Sequence, residues 1–362
     1  MDNLPRDLKL EILLHLPIKS LLGLKCTSKS WLSLISNPYF VKLHFQRSSQ
    51  HPDRILYAVG SQMLSIDFNA SLHDDSAVVK LDLPFFKSHV DVDFMATSCR
   101  GFVFLAPTNE QKIFLLNPST RVCKQIPVPD PHNSIFLYGF CYDEFADDYL
   151  LVLASKYKKL DPSSDFLLGF DVFSIRTNSW QKHGNLIINH ANVPTVGFIS
   201  NDAIHWIVRT PSAVKMIAFD ITTKNLREVP MPFDFDGCFI GLYDLRVLEG
   251  CLTLIFSRDD QDEMWVMREY GVKSSWTNYY KLFSLSCKRD ICYILPLCFT
   301  KDGQLLVVDD HIGLSKWSDK GELQERRQYF TQEITRRRPL CCCLGSCYYS
   351  ATAYTETLLS LP

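Results

Sequence analysis

Two stretches decide the fold: FDVFSIRTNSWQKH at Phe170–His183 and MIAFDITTKNLREVP at Met216–Pro230. Each begins with a short run rich in β-branched and aromatic residues, passes through a turn of Asp, Ser, Thr, Asn or Lys, and resumes on a bulky apolar residue. Runs of this length bounded by turn chemistry are strands, and two of them joined this way make a hairpin. The same unit recurs at Phe68–Leu83, Ile113–Pro127 (IFLLNPSTRVCKQIP), Met264–Tyr279 (MWVMREYGVKSSWTNY) and Ile312–Glu325. Val79, Val122, Trp180, Leu226, Trp276 and Leu323 are the apolar residues that follow the six turns. Their separations are 43, 58, 46, 50 and 47 residues.

Around each hairpin the sequence offers two more strands. The opening strands are predicted near Val92–Thr97, Phe136–Tyr142, Val196–Ser200, Phe239–Leu245 and Tyr293–Thr300. Six units of about 40–60 residues with four strands each are the pattern of a β-propeller. A sandwich does not repeat a four-strand unit six times, and a parallel α/β fold needs helices that residues beyond 50 do not encode. The first unit, residues 55–83, lacks an opening strand, while a spare one stands at Leu344–Tyr354. The C-terminal strand is therefore predicted to join the first blade and remove the open edge of the ring.

Residues 1–45 follow a different rule. Leu8, Ile12, Leu13 and Leu16 recur at helical spacing after Pro5, with Asn3 as a possible cap. Pro17 ends that helix and starts one carrying Leu21, Leu22 and Leu24. Thr27 or Ser28 caps a third with Trp31, Leu34 and Ile35 inward, and Pro38 is predicted to end it. So small a unit cannot bury all these side chains by itself. A surplus that is worth about 1.5–3 kcal/mol per buried Leu or Ile calls for burial, either on the chain's own second domain or against a partner helix. Six basic residues (Arg6, Lys9, Lys19, Lys25, Lys29, Lys42) against Asp2, Asp7 and Glu11 give this segment a charge of +3. The whole chain is −2, which leaves −5 for the remainder.

The string Leu4-Pro5, Leu8, Ile12-Leu13, Leu16-Pro17, Ser20-Leu21, Lys25-Cys26, Ser28-Lys29, Trp31 and Leu34-Ile35, followed by Phe40 and His44, resembles an F-box. More narrowly it is similar to plant F-box proteins with an F-box-associated interaction domain, including the S-locus F-box group. WVMREYGVKSSWT at 265–277 and DVFSIRTNSW at 171–180 resemble signatures of that second domain. The resemblance implies a small all-α F-box of three helices followed by an all-β, kelch-like propeller of six blades closed by a C-terminal strand. Its boundaries are 1–45 for the F-box, 46–54 for a linker and 55–362 for the propeller. "Kelch-like" describes shape alone, since the glycine doublets of kelch repeats are absent.

The same resemblance implies a Skp-type adaptor and, through it, a cullin and a RING subunit as partners of a ubiquitin ligase. Leu4, Pro5, Leu8, Ile12, Leu13, Leu16, Pro17 and Leu21 would form much of the adaptor contact, while Trp31 and Ile35 hold the module together. His15 and Gly23-Leu24 stand where relatives often carry Arg and Arg-Phe.

Other chemistry was sought in the residues. Hydrophobic residues at 46% and charged residues at 22% describe a folded chain, and 38 basic against 40 acidic residues give no general attraction to nucleic acid. No hydrolase elbow, zinc-protease helix, Walker loop or dinucleotide fingerprint occurs. His205, in a strand beside Trp206, reads as a structural residue. Cys287, Cys292 and Cys298 lack zinc-site spacing, so neither metal nor cofactor is expected. No apolar run is long enough to span a membrane. Thirteen cysteines with no visible leader point to a reducing compartment, cytoplasmic or nuclear. The run Arg336–Cys343 reads as a solvated loop entering a strand rather than a palmitoylated patch. Asp259, Asp260 and Asp262, with Asp234 and Asp236, are expected on the loop face away from the F-box, as a candidate substrate surface for a basic partner.

Overall fold

The computed structural model describes residues 5–48, 52–59, 62–83, 94–107, 112–129, 134–159, 165–188, 195–233, 243–258, 261–282, 294–309, 313–329 and 351–361. Four short helices come first: α1 (Arg6–Leu14), α2 (Ile18–Lys25), α3 (Lys29–Ile35) and α4 (Pro38–Ser48). Pro17 precedes α2, and the Ser28 hydroxyl caps α3 by accepting the Trp31 N–H at 3.2 Å. Pro38 does not merely end α3. It opens α4, where its missing N–H costs nothing, while the Asn37 side chain accepts the Tyr39 N–H at 2.9 Å. The helical region thus has a fourth helix, which runs to Ser48 through residues placed by sequence at the start of a linker.

The rest of the described chain is six antiparallel sheets arranged as blades. Blade 1 pairs Ala351–Tyr354, Arg54–Val59, Gln62–Asp67 and Val78–Leu81. Blade 2 is Phe94–Cys99, Phe102–Pro107, Ile113–Asn117 and Val122–Ile126. Blade 3 is Ile135–Asp143, Asp148–Lys159, Phe166–Ser174 and Ser179–Ile188, with Thr195–Val196 lying parallel beside its first strand. Blade 4 holds Phe198–Ser200, Ala203–Arg209, Val214–Asp220 and Leu226–Val229. Blade 5 holds Tyr243–Leu248, Cys251–Arg258, Gln261–Met267 and Trp276–Leu282. Blade 6 holds Ile294–Phe299, Leu305–Asp309, Gly313–Trp317 and Leu323–Gln328. All six anchor residues named above fall in fourth strands, at the outside of the ring.

The turn between third and fourth strands has one construction. The residue four places after the third strand's end takes a left-handed backbone in five blades: Arg121 (φ 61°), Asn178 (53°), Lys224 (59°), Gly271 (78°) and Gly321 (75°). In blades 2, 3 and 4 a polar residue at the strand end closes the turn. Asn117 Oδ1 accepts the Ser119 and Thr120 N–H groups, and Asp220 Oδ1 accepts those of Thr222 and Thr223. This is the Asx chemistry that made the repeat visible. Anchoring tryptophans tie neighbouring blades: Trp180 Nε1 donates to the Pro127 carbonyl of blade 2, and Trp276 Nε1 to that of Pro230 in blade 4, each at 2.9 Å.

Closure is made by Ala351–Tyr354, which pairs with Arg54–Tyr57 as the innermost strand of blade 1. Ser98 Oγ of blade 2 donates to the Ala353 carbonyl, so the strand also touches its neighbour around the ring. Tyr354 is buried, and its hydroxyl meets Ser65 Oγ at 2.7 Å. Removing residues 351–361 should leave Arg54–Val59 as a naked edge in the ring centre. The expected outcome is loss of a single cooperative thermal transition in circular dichroism and soluble oligomers in gel filtration. An unchanged melting curve would show that closure lies elsewhere.

Candidate functional site

Alternation of strand direction gives the ring two faces. Turns from first to second and from third to fourth strands lie on one face, and the remaining connections lie on the other. The helical module sits on the first of these. Arg100, in the first turn of blade 2, places its guanidinium 5.0 Å from the Phe45 ring of α4 and 3.8 Å from the Tyr142 ring of blade 3. It also pairs with Glu144 at 3.0 Å. The second strands' far ends, at Pro107, Lys159, Arg209, Arg258 and Asp309, run to the opposite face.

Within the module, Leu13, Leu14, Ile18, Leu21, Ile35, Phe40 and Val41 form one buried cluster. His44 is buried with them, its Nε2 2.9 Å from the Leu16 carbonyl. The predicted contact residues therefore divide. Leu8 (53% exposed) and Ile12 (41%) lie four residues apart on the outer side of α1. Pro5 and Pro17 are exposed too, and Leu16 is half-buried. Leu13 (2%) and Leu21 (0%) face inward and lie in the core of the module. The reason is periodicity: Leu13 is one residue beyond Ile12, about 100° around the helix. Ile35 is fully buried, as expected, and Trp31 is half-buried. Leu4 lies outside the described residues. The sequence did not single out Leu32 (48% exposed) or Tyr39 (68%), which extend the exposed apolar surface onto α3 and α4.

Polar contacts hold α1 against α4. Arg47 pairs with Glu11 at 2.7 Å, and His15 lies 3.4 Å from the same carboxylate. The hydrogen bond from Arg47 holds the Glu11 carboxyl below the usual carboxylate range. Partial burial lowers the Lys25 ammonium.

Of the candidate substrate residues, Asp234, Asp236, Asp259 and Asp260 lie outside the described residues. Asp262 belongs to the third strand of blade 5, where it pairs with Ser257, and its side chain is not described. The ring centre contains a channel of about 840 Å³ lined by Ser98, Phe198, Arg246, Thr300 and Thr352 among others. Arg246 is neutralised there by Asp244 at 2.9 Å, with both groups buried, and it stacks on Phe198.

His205 has a packing role. It is fully buried, with Nδ1 on the Phe198 carbonyl and Nε2 2.7 Å from the Tyr270 hydroxyl. Burial lowers its pKa to about 4. Among the described residues no group of His, Cys, Asp and Glu can hold a metal ion. Cys298 is a partly buried thiol pushed up to about 12 by desolvation, while Cys287, Cys292 and the Arg336–Cys343 run lie outside the described residues. Among the described residues, no helix is long and apolar enough to cross a membrane.

Family models match both parts of this architecture. The F-box domain model matches residues 1–43, and the F-box associated beta propeller domain model matches residues 54–348. The chain belongs to the F-box proteins with an associated β-propeller. It is 25% identical to the F-box protein CPR1 of Arabidopsis thaliana, over 88% of this chain and 82% of that one. It is 27% identical to an F-box/kelch-repeat protein of the same plant, over 87% and 88%. A further Arabidopsis F-box protein matches at 25% over 99% of both chains. The helical module on the ring is thus the F-box, and an F-box implies a Skp-type adaptor.

Two outcomes follow. Leu8→Asp and Ile12→Asp should each weaken adaptor binding at least about tenfold while leaving the melting temperature nearly unchanged, because surface changes usually cost within about 0.5 kcal/mol. Leu13→Asp and Leu21→Asp should instead unfold the helices, since each buries a charge without a partner. Calorimetric binding beside circular dichroism separates the pairs.

The second concerns His205. Above about pH 6.5 it is neutral in both states and full stability is present. Between 6.5 and 4 the unfolded chain takes up a proton that the folded chain refuses, so stability falls, and below 4 this loss is complete. The size is about 3 kcal/mol. His205→Gln should lose that much less than the parent between pH 7 and pH 4 in urea unfolding. Equal losses would contradict the assignment.

Proposed function

We propose that this protein is the substrate-recognition subunit of a Skp–cullin–F-box E3 ubiquitin ligase. It performs no chemistry itself. The F-box engages the adaptor, and the propeller holds a protein substrate for ubiquitination and proteasomal degradation. The observation that carries the reading is the pairing of an F-box, whose α1 keeps Leu8 and Ile12 exposed, with a propeller whose other face is turned away from it. Apolar side chains at i and i+4 on a helix are what a helical partner's groove accepts. Holding substrate and ligase on one rigid body raises the local concentration of substrate lysines at the conjugating enzyme.

The substrate belongs, on this reading, at the face away from the F-box, and Asp234, Asp236, Asp259, Asp260 and Asp262 give the sequence a local negative charge suited to a basic partner. The protein works in the cytoplasm or nucleus, where thiols such as those of Cys26 and Cys141 stay reduced.

Affinity capture of full-length protein and of an F-box-deleted form, under proteasome inhibition, tests this. Adaptor and cullin should co-purify with the full-length form alone, and substrates should accumulate on the deleted form. Adaptor recovered equally with both would defeat the reading. Adaptor without cullin, together with stable bound proteins, would favour a sequestering scaffold outside the ligase.

A further inference from the structure

The segment after the ring-closing strand, residues 355–361, leaves the propeller and enters the F-box. Leu358 is 7% exposed and belongs to the same buried cluster as Leu13, Leu14, Ile18, Leu21, Ile35, Phe40 and Val41. Leu359, beside it, packs on both the F-box cluster and the main cluster of the propeller. The residue that helps fill the F-box interior therefore comes from over 300 positions away in the chain.

Blade 2 supplies hydrogen bonds that hold the segment in place. Asn117 Nδ2 donates to the Thr357 carbonyl at 3.2 Å and to the Leu359 carbonyl at 2.9 Å. Ser119 Oγ accepts the Thr357 N–H at 3.1 Å. Gly101, with φ +80°, lies so close that a Cβ there would stand 2.3 Å from the Thr357 methyl and 2.7 Å from the Thr355 carbonyl. On its other flank Asp53, just before blade 1, accepts the Glu356 N–H and donates its own to the Tyr354 carbonyl. All of these anchors stand directly beyond the pairing of Ala351–Tyr354 with Arg54–Tyr57.

The F-box needs this help. Its helices have 9, 8, 7 and 11 residues, all shorter than the roughly 12–15 at which isolated helices become even marginal in water. So few residues bury too little surface for ready independent stability.

We propose that residues 355–361 are the last structural element of the F-box, and that the F-box becomes competent to bind its adaptor only when the ring has closed. The device orders assembly. The F-box is synthesised first and completed last, so an unfinished or opened receptor does not occupy the adaptor. This rests on the adaptor-binding reading above.

Three full-chain variants test it: a stop after Tyr354, which retains the closing strand, Leu358→Ser and Asn117→Ala. Hydrogen exchange of α1–α3 and of the blades is read beside calorimetric binding of a purified Skp-type adaptor. Exchange in α1–α3 should quicken roughly 10- to 100-fold for the first two variants, less for the third, with blade protection retained. Adaptor affinity should fall at least about tenfold in the first two. Helix protection within twofold of the parent overturns the proposal. So does faster helix exchange with unchanged affinity. Should the stop variant lose blade protection, Leu358→Ser decides alone. If the unaltered chain shows no adaptor binding, the ligase reading falls, and the exchange comparison by itself still decides whether this segment completes the F-box.

Discussion

Four residue pairs hold the architecture together: Arg54 with Tyr354, Ile55 with Ala353, Leu56 with Thr352 and Tyr57 with Ala351. A ring of antiparallel blades has to end somewhere, and an unpaired strand at its centre would expose backbone donors and acceptors in a place too narrow for full hydration. Joining the last strand to the first blade satisfies them and closes the circle of innermost strands. The same pairing sets where the chain goes next. Once Tyr354 is buried, residues 355–361 can only emerge on the face where the F-box stands, beside Asp53 and the turns of blade 2. Placement of the adaptor-binding module is therefore a consequence of how the ring is closed.

The fold was legible in the sequence wherever local chemistry repeats. Asn117, Ser174 and Asp220 close the same turn, and the fifth residue of the turn is left-handed in blades 2 to 6, so the motif shows there whatever the strands contain. Trp180 and Trp276 were visible as anchors because each has the same task, a hydrogen bond to a proline carbonyl of the preceding blade. The spare strand at the far end was legible by counting, since the first unit was one strand short.

What was not legible is non-local. The residues that cover Leu13 and Leu21, among them Phe40 and Val41 of α4 and Leu358, lie too far along the chain for helical periodicity to name them. Pro38 was read as a terminator because proline stops helices more visibly than it starts them, and only the Asn37 cap distinguishes the two. The opening strand of blade 5 runs to Leu248, three residues past the predicted end at Leu245, because strand runs without a turn motif carry no register of their own, and residues 239–242 lie outside the described residues. Arg100 gave no signal at all. Its role as a cation stacked between Phe45 and Tyr142 joins three parts of the chain that sequence separates.

The two ends of the molecule meet different physical demands. The face that carries the F-box is tied down: Arg100, Glu144, Asn117, Ser119 and Gly101 are committed to neighbours, and Leu359 packs on both domains. A receptor that presents a substrate to a distant active site gains from such rigidity, because a loose joint would dilute the local concentration that tethering creates. The far ends of the second strands, at Pro107, Lys159, Arg209, Arg258 and Asp309, run to the opposite face, away from this joint, so changes there leave it undisturbed. On the proposed ligase reading, recognition on one face and docking on the other can then vary independently, provided that closure of the ring is kept.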